Sequence, residues 1–227
     1  MRRETKEQCR ERLDRIRSVL KSVYPNAHCE LVYRNPLELL IATILSAQCT
    51  DLNVNRVTAT LFRKYRTASD YATASEEDLA RELRSLGLFR NKAKNLKSAC
   101  QTLMEQHGGE VPRSLDALTA LAGVGRKTAN VVLGNAFGLE EGIVVDTHVL
   151  RLSRRLGITR ETDPVKVERA LTALVPRKEW TQFSHWLIWH GRRRCGARKP
   201  DCLGCELRTL CPSDAGEGLR RLSPPPR

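Results

Sequence analysis

No hydrophobic run in this 227-residue chain approaches the roughly 18 residues of a membrane span. The longest, Leu39–Leu45, is broken only by Thr43. The opening Met1-Arg2-Arg3-Glu4 is basic but lacks the apolar segment of a secretion signal. No segment alternates apolar and polar residues for long enough to build a sheet, and there is no repeat of solenoid period. Acid is in short supply: 26 Asp and Glu face 39 Lys and Arg, for a net charge of +13. Membrane proteins, secreted proteins and β folds are therefore set aside. A soluble, intracellular protein with an anionic partner is expected, and nucleic acid is the commonest such partner. The 41% hydrophobic content argues against wholesale disorder, and the length can bury a core without disulfide staples.

The charge is uneven. Residues 1–35 carry 9 basic and 5 acidic side chains, residues 185–227 carry 9 and 4, and residues 36–139 carry 13 and 10. The densest basic cluster is Arg192, Arg193, Arg194, Arg198 and Lys199. The 8 cysteines are uneven too. Cys9, Cys29, Cys49 and Cys100 are scattered and read as ordinary buried residues. Cys195, Cys202, Cys205 and Cys211 fall within 17 positions.

The remaining pattern is helical almost throughout. An amphipathic helix is expected over 5–22. Asn35-Pro36-Leu37-Glu38 supplies an N-cap, a first-turn proline and a capping glutamate for a core helix. Asp51 is the expected cap of a helix to Tyr65. Ser75-Glu76-Glu77-Asp78 opens another helix, with Gly87 as its stop. Further helices are expected over 91–106, 114–121, 126–137, 147–156, 163–174 and 178–190. Residues 214–227 read as a flexible tail.

Gly123-Val124-Gly125 joins two of these helices by a tight turn. The second helix begins with amide N–H groups aimed out of that turn, a natural phosphate site, and Arg126 and Lys127 add positive charge. Such contacts position a nucleic acid without reading its bases. Lys127 is either a phosphate contact or a nucleophilic amine. The helix N-terminus and the neighbouring Arg126 favour its neutral form, and a neutral amine can attack a sugar carbon to form a Schiff base. That chemistry calls for a carboxylate. Asp146, 19 positions on, is the candidate, with simple helix capping as its alternative role.

The spacing Cys195-x6-Cys202-x2-Cys205-x5-Cys211 places four thiolates in one short loop. Structural zinc usually uses two close pairs, and only one pair here is close. A [4Fe–4S] cluster takes one thiolate per corner and suits the more even spacing. The spacing leaves zinc open.

Taken in order, Ser46-Ala47-Gln48-Cys49-Thr50-Asp51, Gly87-Leu88, Gly123 to Val131, Val145-Asp146-Thr147-His148 and the four-cysteine loop resemble bacterial endonuclease III. That family comprises bifunctional DNA glycosylases of the helix-hairpin-helix superfamily. The resemblance runs from about residue 5 to residue 213. It implies an all-α fold of two helical domains with a DNA cleft between them. A helical bundle over 26–138 carries the hairpin, and residues 1–25 with 139–213 form an iron–sulfur cluster domain. Lys127 would be the nucleophile and Asp146 its acidic partner, either helping to deprotonate the amine or stabilising cationic sugar. Gln48 and Leu88 would fill the gap left in the duplex by a flipped base. Gly123, Val124, Gly125, Arg198 and Lys199 would touch DNA. Cys195, Cys202, Cys205 and Cys211 would hold a structural [4Fe–4S] cluster.

The implied activity is base-excision repair of oxidised pyrimidines in double-stranded DNA. AP lyase cleavage would follow by β-elimination through the lysine Schiff base, at abasic sites as well. A monomer in the bacterial cytoplasm, associated with the nucleoid and with no membrane partner, is implied. Ala122 departs from the usual proline and Cys49 from the usual alanine. Two alternatives stand beside this reading. One is a monofunctional mismatch or adenine glycosylase, whose members typically lack the lysine. The other is a catalytically inactive iron–sulfur DNA-binding module.

Overall fold

The computed structural model describes residues 4–214, so residues 215–227 of the expected tail lie outside the described residues. In chain order the α-helices are α1 (Lys6–Val23), α2 (Pro36–Leu45), α3 (Asp51–Lys64), α4 (Ala68–Thr73), α5 (Glu76–Glu82), α6 (Phe89–His107), α7 (Leu115–Thr119), α8 (Arg126–Phe137), α9 (Thr147–Arg155), α10 (Pro164–Thr172) and α11 (Trp180–Arg193). Among the described residues there is no β-strand. None of the helices is long and apolar enough to cross a membrane.

Two units form. The hairpin unit is Cys29–Glu141, and the cysteine unit joins the chain up to His28 with the chain from Gly142 onward. These borders fall three residues beyond the expected 26 and 138. The physical reason lies in packing. Ala27 is buried with Tyr24 in the core of the cysteine unit, whereas Leu139 packs on the core of the hairpin unit.

In the hairpin unit α2 is the central element. Asn35 caps it by accepting from the Glu38 N–H at 2.9 Å, and Pro36 occupies the first turn. Glu38 does not close a capping box on Asn35, as the sequence suggests. Its carboxylate instead accepts from the Arg34 N–H at 2.7 Å and from the Arg34 guanidinium. From Leu39 to Leu45 every residue of α2 is buried, and the helix packs on α3, α6 and α8.

Three local expectations change. Thr50, not Asp51, caps α3. The short α4 escapes the sequence reading because 6 residues are too few to display a period. Thr67 and Asp70 form its capping box. Finally, α5 stops at Glu82 because Leu83 and Leu86 turn into the core. Gly87 does not take the left-handed stop conformation, and Leu88 does, at φ 57°.

The cysteine unit packs α9 against α1's partner α11, with α10 beside α9. Its core includes Leu13, Ile16, Leu20, Leu152, Phe183 and Leu187. Gly191 lets α11 approach closely: a Cβ there would lie 2.8 Å from His148 Nδ1 and 3.0 Å from Arg151 Nη2. Arg151 uses that proximity, donating to the backbone oxygens of Gly191 at 3.0 Å and Cys195 at 2.9 Å. The start of the four-cysteine loop is thereby pinned to α9.

Candidate active site and four-cysteine pocket

The hairpin turn is built as glycine chemistry requires. Gly123 has φ 76°, and a Cβ on it would sit 3.0–3.3 Å from the Asn95 side chain. Val124 turns its side chain into the core at 6% exposure, and its N–H donates to Leu121 O at 3.1 Å. Neither its side chain nor its N–H therefore faces outward. Both serve the turn itself. Gly125 is the N-cap of α8 and offers no side-chain cap. The helical register opens with the Ala129 N–H on Gly125 O at 3.0 Å. Lys127 is exposed on the first turn that follows.

Within the hairpin unit the same signature occurs at α6, whose N-cap Leu88 also gives no side-chain bond. Its other helices, α2, α3, α4, α5 and α7, are all capped by Asn, Thr or Ser side chains. The two helix N-termini left without a side-chain cap are those at which the resemblance puts DNA. Such ends suit phosphate.

Gln48 and Leu88 share an unusual feature. They are the two non-glycine residues with positive φ among the described residues, at 56° and 57°. Both side chains are exposed, Leu88 at 55%. Left-handed backbone costs an ordinary L-residue about 1–2 kcal/mol, and such strain collects at working positions. The loops behind them are joined: buried Lys92, on the first turn of α6, donates from Nζ to Cys49 Sγ at 3.0 Å. Spacing alone gives no hint of that bond. Of the four scattered cysteines only Cys100 is fully buried; Cys9, Cys29 and Cys49 are partly exposed. Burial pushes the Cys100 thiol up to about 12.

Asp146 caps α9. Its Oδ1 accepts from the His148 and Val149 N–H groups, both at 2.8 Å. One oxygen thus meets both amides and Oδ2 stays outside the cap. The carboxylate is partly exposed. Capping and a chemical role are compatible in this geometry.

Cys195, Cys202, Cys205 and Cys211 all line one small cavity of about 30 Å³, with Leu152, Leu156 and Leu207 among its apolar walls. Charged and polar groups reach the sulfurs from outside. Arg155 Nη1 donates to Cys195 Sγ at 3.2 Å and to Gly196 O at 2.8 Å. His190 Nε2 lies 3.4 Å from Cys205 Sγ. Desolvation first, then the neighbouring cysteines, pushes the Cys205 thiol up to about 11. Among the described residues no group of three His, Cys, Asp or Glu side chains is arranged to hold a metal ion.

The basic cluster divides. Arg194 is spent inside the unit on Asp201 at 2.8 Å and Glu206 at 3.1 Å. Arg193 stacks 3.7 Å over the Trp189 ring. Arg198 and Lys199 are exposed on the loop between Cys195 and Cys202.

Residues 41–177 match the family model of the HhH-GPD superfamily base excision DNA repair proteins. The chain is 50% identical over 204 residues to endonuclease III of Synechocystis sp., covering 90% of this chain and 93% of that protein. It is 52% identical over 190 residues to endonuclease III of Bacillus subtilis, covering 83% and 86%. The fold matches a solved endonuclease III–DNA covalent intermediate, trapped in an estranged-adenine complex, at TM-score 0.86 and 48% identity over 97% of this chain and 100% of that one. A non-covalent endonuclease III–DNA complex matches at TM-score 0.87 and 48% identity over 96% and 100%.

Proposed function

This chain belongs to the endonuclease III family of the HhH-GPD base excision DNA repair proteins, and we propose that Lys127 and Asp146 carry its chemistry on oxidised pyrimidines in duplex DNA. It is a base-excision-repair DNA glycosylase and AP lyase. The carrying observation is the Gly123-Val124-Gly125 turn, which presents exposed Lys127 on the first turn of a helix whose N-terminus has no side-chain cap.

In this reading a lesion such as thymine glycol is extruded from the stack. Gln48 and Leu88, held in strained backbone and exposed, take its place. The first turns of α6 and α8 and the exposed Arg198 and Lys199 hold phosphates. The Lys127 amine bonds to C1′ as the glycosidic bond breaks, and the base leaves with a proton. Ring opening, with a proton taken up at O4′, then gives the protonated Schiff base, which keeps the second amine proton. That iminium acidifies C2′, whose proton departs as the 3′ C–O bond breaks, so the strand is cut 3′ of the lesion. Asp146 assists through the carboxylate oxygen not committed to capping. A relative 48% identical has been trapped covalently on DNA, which supports a covalent nucleophile in this reading. The substrate also includes abasic sites, and the enzyme works as a cytoplasmic monomer on chromosomal DNA, in association with the nucleoid.

Cys195, Cys202, Cys205 and Cys211 fit a [4Fe–4S] cluster. Four thiols surround one cavity walled by leucines, and Arg155 steadies the first of them. A single zinc holds its sulfurs at about 2.3 Å from one centre. A cube with one iron per corner spreads them farther apart, and it is the group that the family resemblance implies for four cysteines lining one cavity. When bound, the cluster supplies a rigid, redox-capable staple for the DNA-facing loop and takes no part in bond breaking.

The test uses duplex DNA with one thymine glycol. The wild-type protein should release the base and cut the strand. Lys127→Gln should do neither while still binding the duplex. Base release persisting in Lys127→Gln without strand cutting would instead support the monofunctional reading.

A further inference from the structure

His190 lies on α11, 5 residues before the first cysteine of the loop. Its ring is buried at 2% exposure. Nδ1 stands 3.1 Å from the Tyr24 hydroxyl, and Nε2 stands 3.4 Å from Cys205 Sγ. The tyrosine is itself buried at 5% and meets the imidazole edge-on, with centroids 5.9 Å apart. One imidazole therefore bridges the N-terminal segment of the chain and a cysteine far along it.

The polarity of this bridge follows from the chemistry of its ends. A thiolate bound to iron carries no proton and can only accept. The contact with Cys205 then forms only if Nε2 bears a hydrogen. With Nε2 as donor, a neutral ring leaves Nδ1 as an acceptor, and the Tyr24 O–H donates to it. The chain O–H to Nδ1, Nε2–H to sulfur runs in one direction, and each bond polarises the next. Burial of both rings keeps water from competing.

We propose that His190 is a positioning and tuning residue for the cluster, donating a hydrogen bond from Nε2 to the Cys205 thiolate, with Tyr24 fixing the tautomer that makes the donation possible. This rests on the [4Fe–4S] reading above. Hydrogen bonds to cluster sulfurs stabilise the more negatively charged oxidation level and raise the reduction potential. The bond thereby biases the cluster against oxidation. Cys195, which receives Arg155, and Cys205, which receives His190, are held by different donors. One is a cation that also binds the loop backbone. The other is a ring that also binds a distant segment.

The experiment measures iron content, visible absorption and cluster reduction potential on the full-length holoprotein. His190→Phe removes the donor, His190→Gln restores an N–H donor, and Tyr24→Phe removes only the tautomer control. His190→Phe should lower the potential by about tenfold in the redox equilibrium, which is about 59 mV for one electron. His190→Gln should recover part of that shift. Tyr24→Phe should shift the potential in the same direction by less, and it keeps the proposal testable should His190→Phe fail to fold. A role in packing alone would lower stability in all three variants and leave the potential where it was, overturning the proposal. Wild-type protein lacking iron would overturn the cluster reading, and the proposal with it. Iron-loaded wild type with unshifted variants would overturn the proposal only.

Discussion

Replacing Leu88 with glycine should leave stability almost unchanged, although leucine-to-glycine substitutions ordinarily cost stability. Leu88 sits at φ 57°, ψ 31°, a conformation costing about 1–2 kcal/mol for an L-residue, and glycine removes that cost. Glycine brings its own penalty of roughly 0.5–1 kcal/mol through the flexibility of the unfolded chain. The leucine is 55% exposed, so under half of the roughly 1.5–3 kcal/mol of full burial is lost, about 1 kcal/mol. Together these nearly cancel. Leu52 is the control. It is 70% exposed but lies within α3 in ordinary helical backbone. There Leu52→Gly has no strain to relieve and should cost about 1–2 kcal/mol. Urea unfolding of both variants, compared by midpoint at equal slope, makes the measurement. The same Leu88→Gly protein should release thymine glycol at least about tenfold more slowly, because the exposed side chain is gone. If Leu88→Gly destabilises as much as Leu52→Gly, the left-handed backbone stores no strain and the reasoning fails.

Three further outcomes follow from the same geometry. Gly123→Ala places a Cβ against Asn95 at positive φ and should cost at least about 1–2 kcal/mol on denaturation. Gly125→Ala, where a Cβ meets open space, should leave stability intact yet weaken DNA binding measured by anisotropy. Equal stability loss in both would contradict the account of the turn. His185 is buried, and desolvation holds its imidazole down to about 4. The unfolded chain takes up that proton near pH 6.5, so unfolding becomes easier as pH falls from about 6.5 to 4, by up to about 3 kcal/mol. Above that window the contribution is fully present. His185→Gln should flatten this acid limb in pH-dependent denaturation, and an unchanged limb would assign it to other groups.

How far the sequence speaks for itself depends on the length scale of each feature. The Asn35 cap and the Pro36 start of α2 depend on adjacent residues, and they stand where the pattern puts them. The hairpin glycines are equally local. What the pattern hides is tertiary. Glu38 abandons its capping box for Arg34, and α4 is too short to show a period. Leu88 takes the backbone conformation that Gly87 would adopt more cheaply. In the basic cluster, composition counts five cations alike. Folding commits Arg193 to an aromatic ring and Arg194 to two carboxylates, while Arg198 and Lys199 stay exposed. The buried links Lys92–Cys49 and Tyr24–His190–Cys205 join residues far apart in the chain. No spacing rule could reveal them.

In the proposed reaction the Lys127 amine becomes covalently attached to the sugar. Borohydride reduction during reaction with a duplex carrying one thymine glycol tests it directly. A protein–DNA adduct stable to denaturing electrophoresis is expected, with the reduced sugar mapped to Lys127 by mass spectrometry and no adduct from Lys127→Gln. Base release from the wild-type protein with no trapped adduct, or an adduct mapped to another residue, would contradict it.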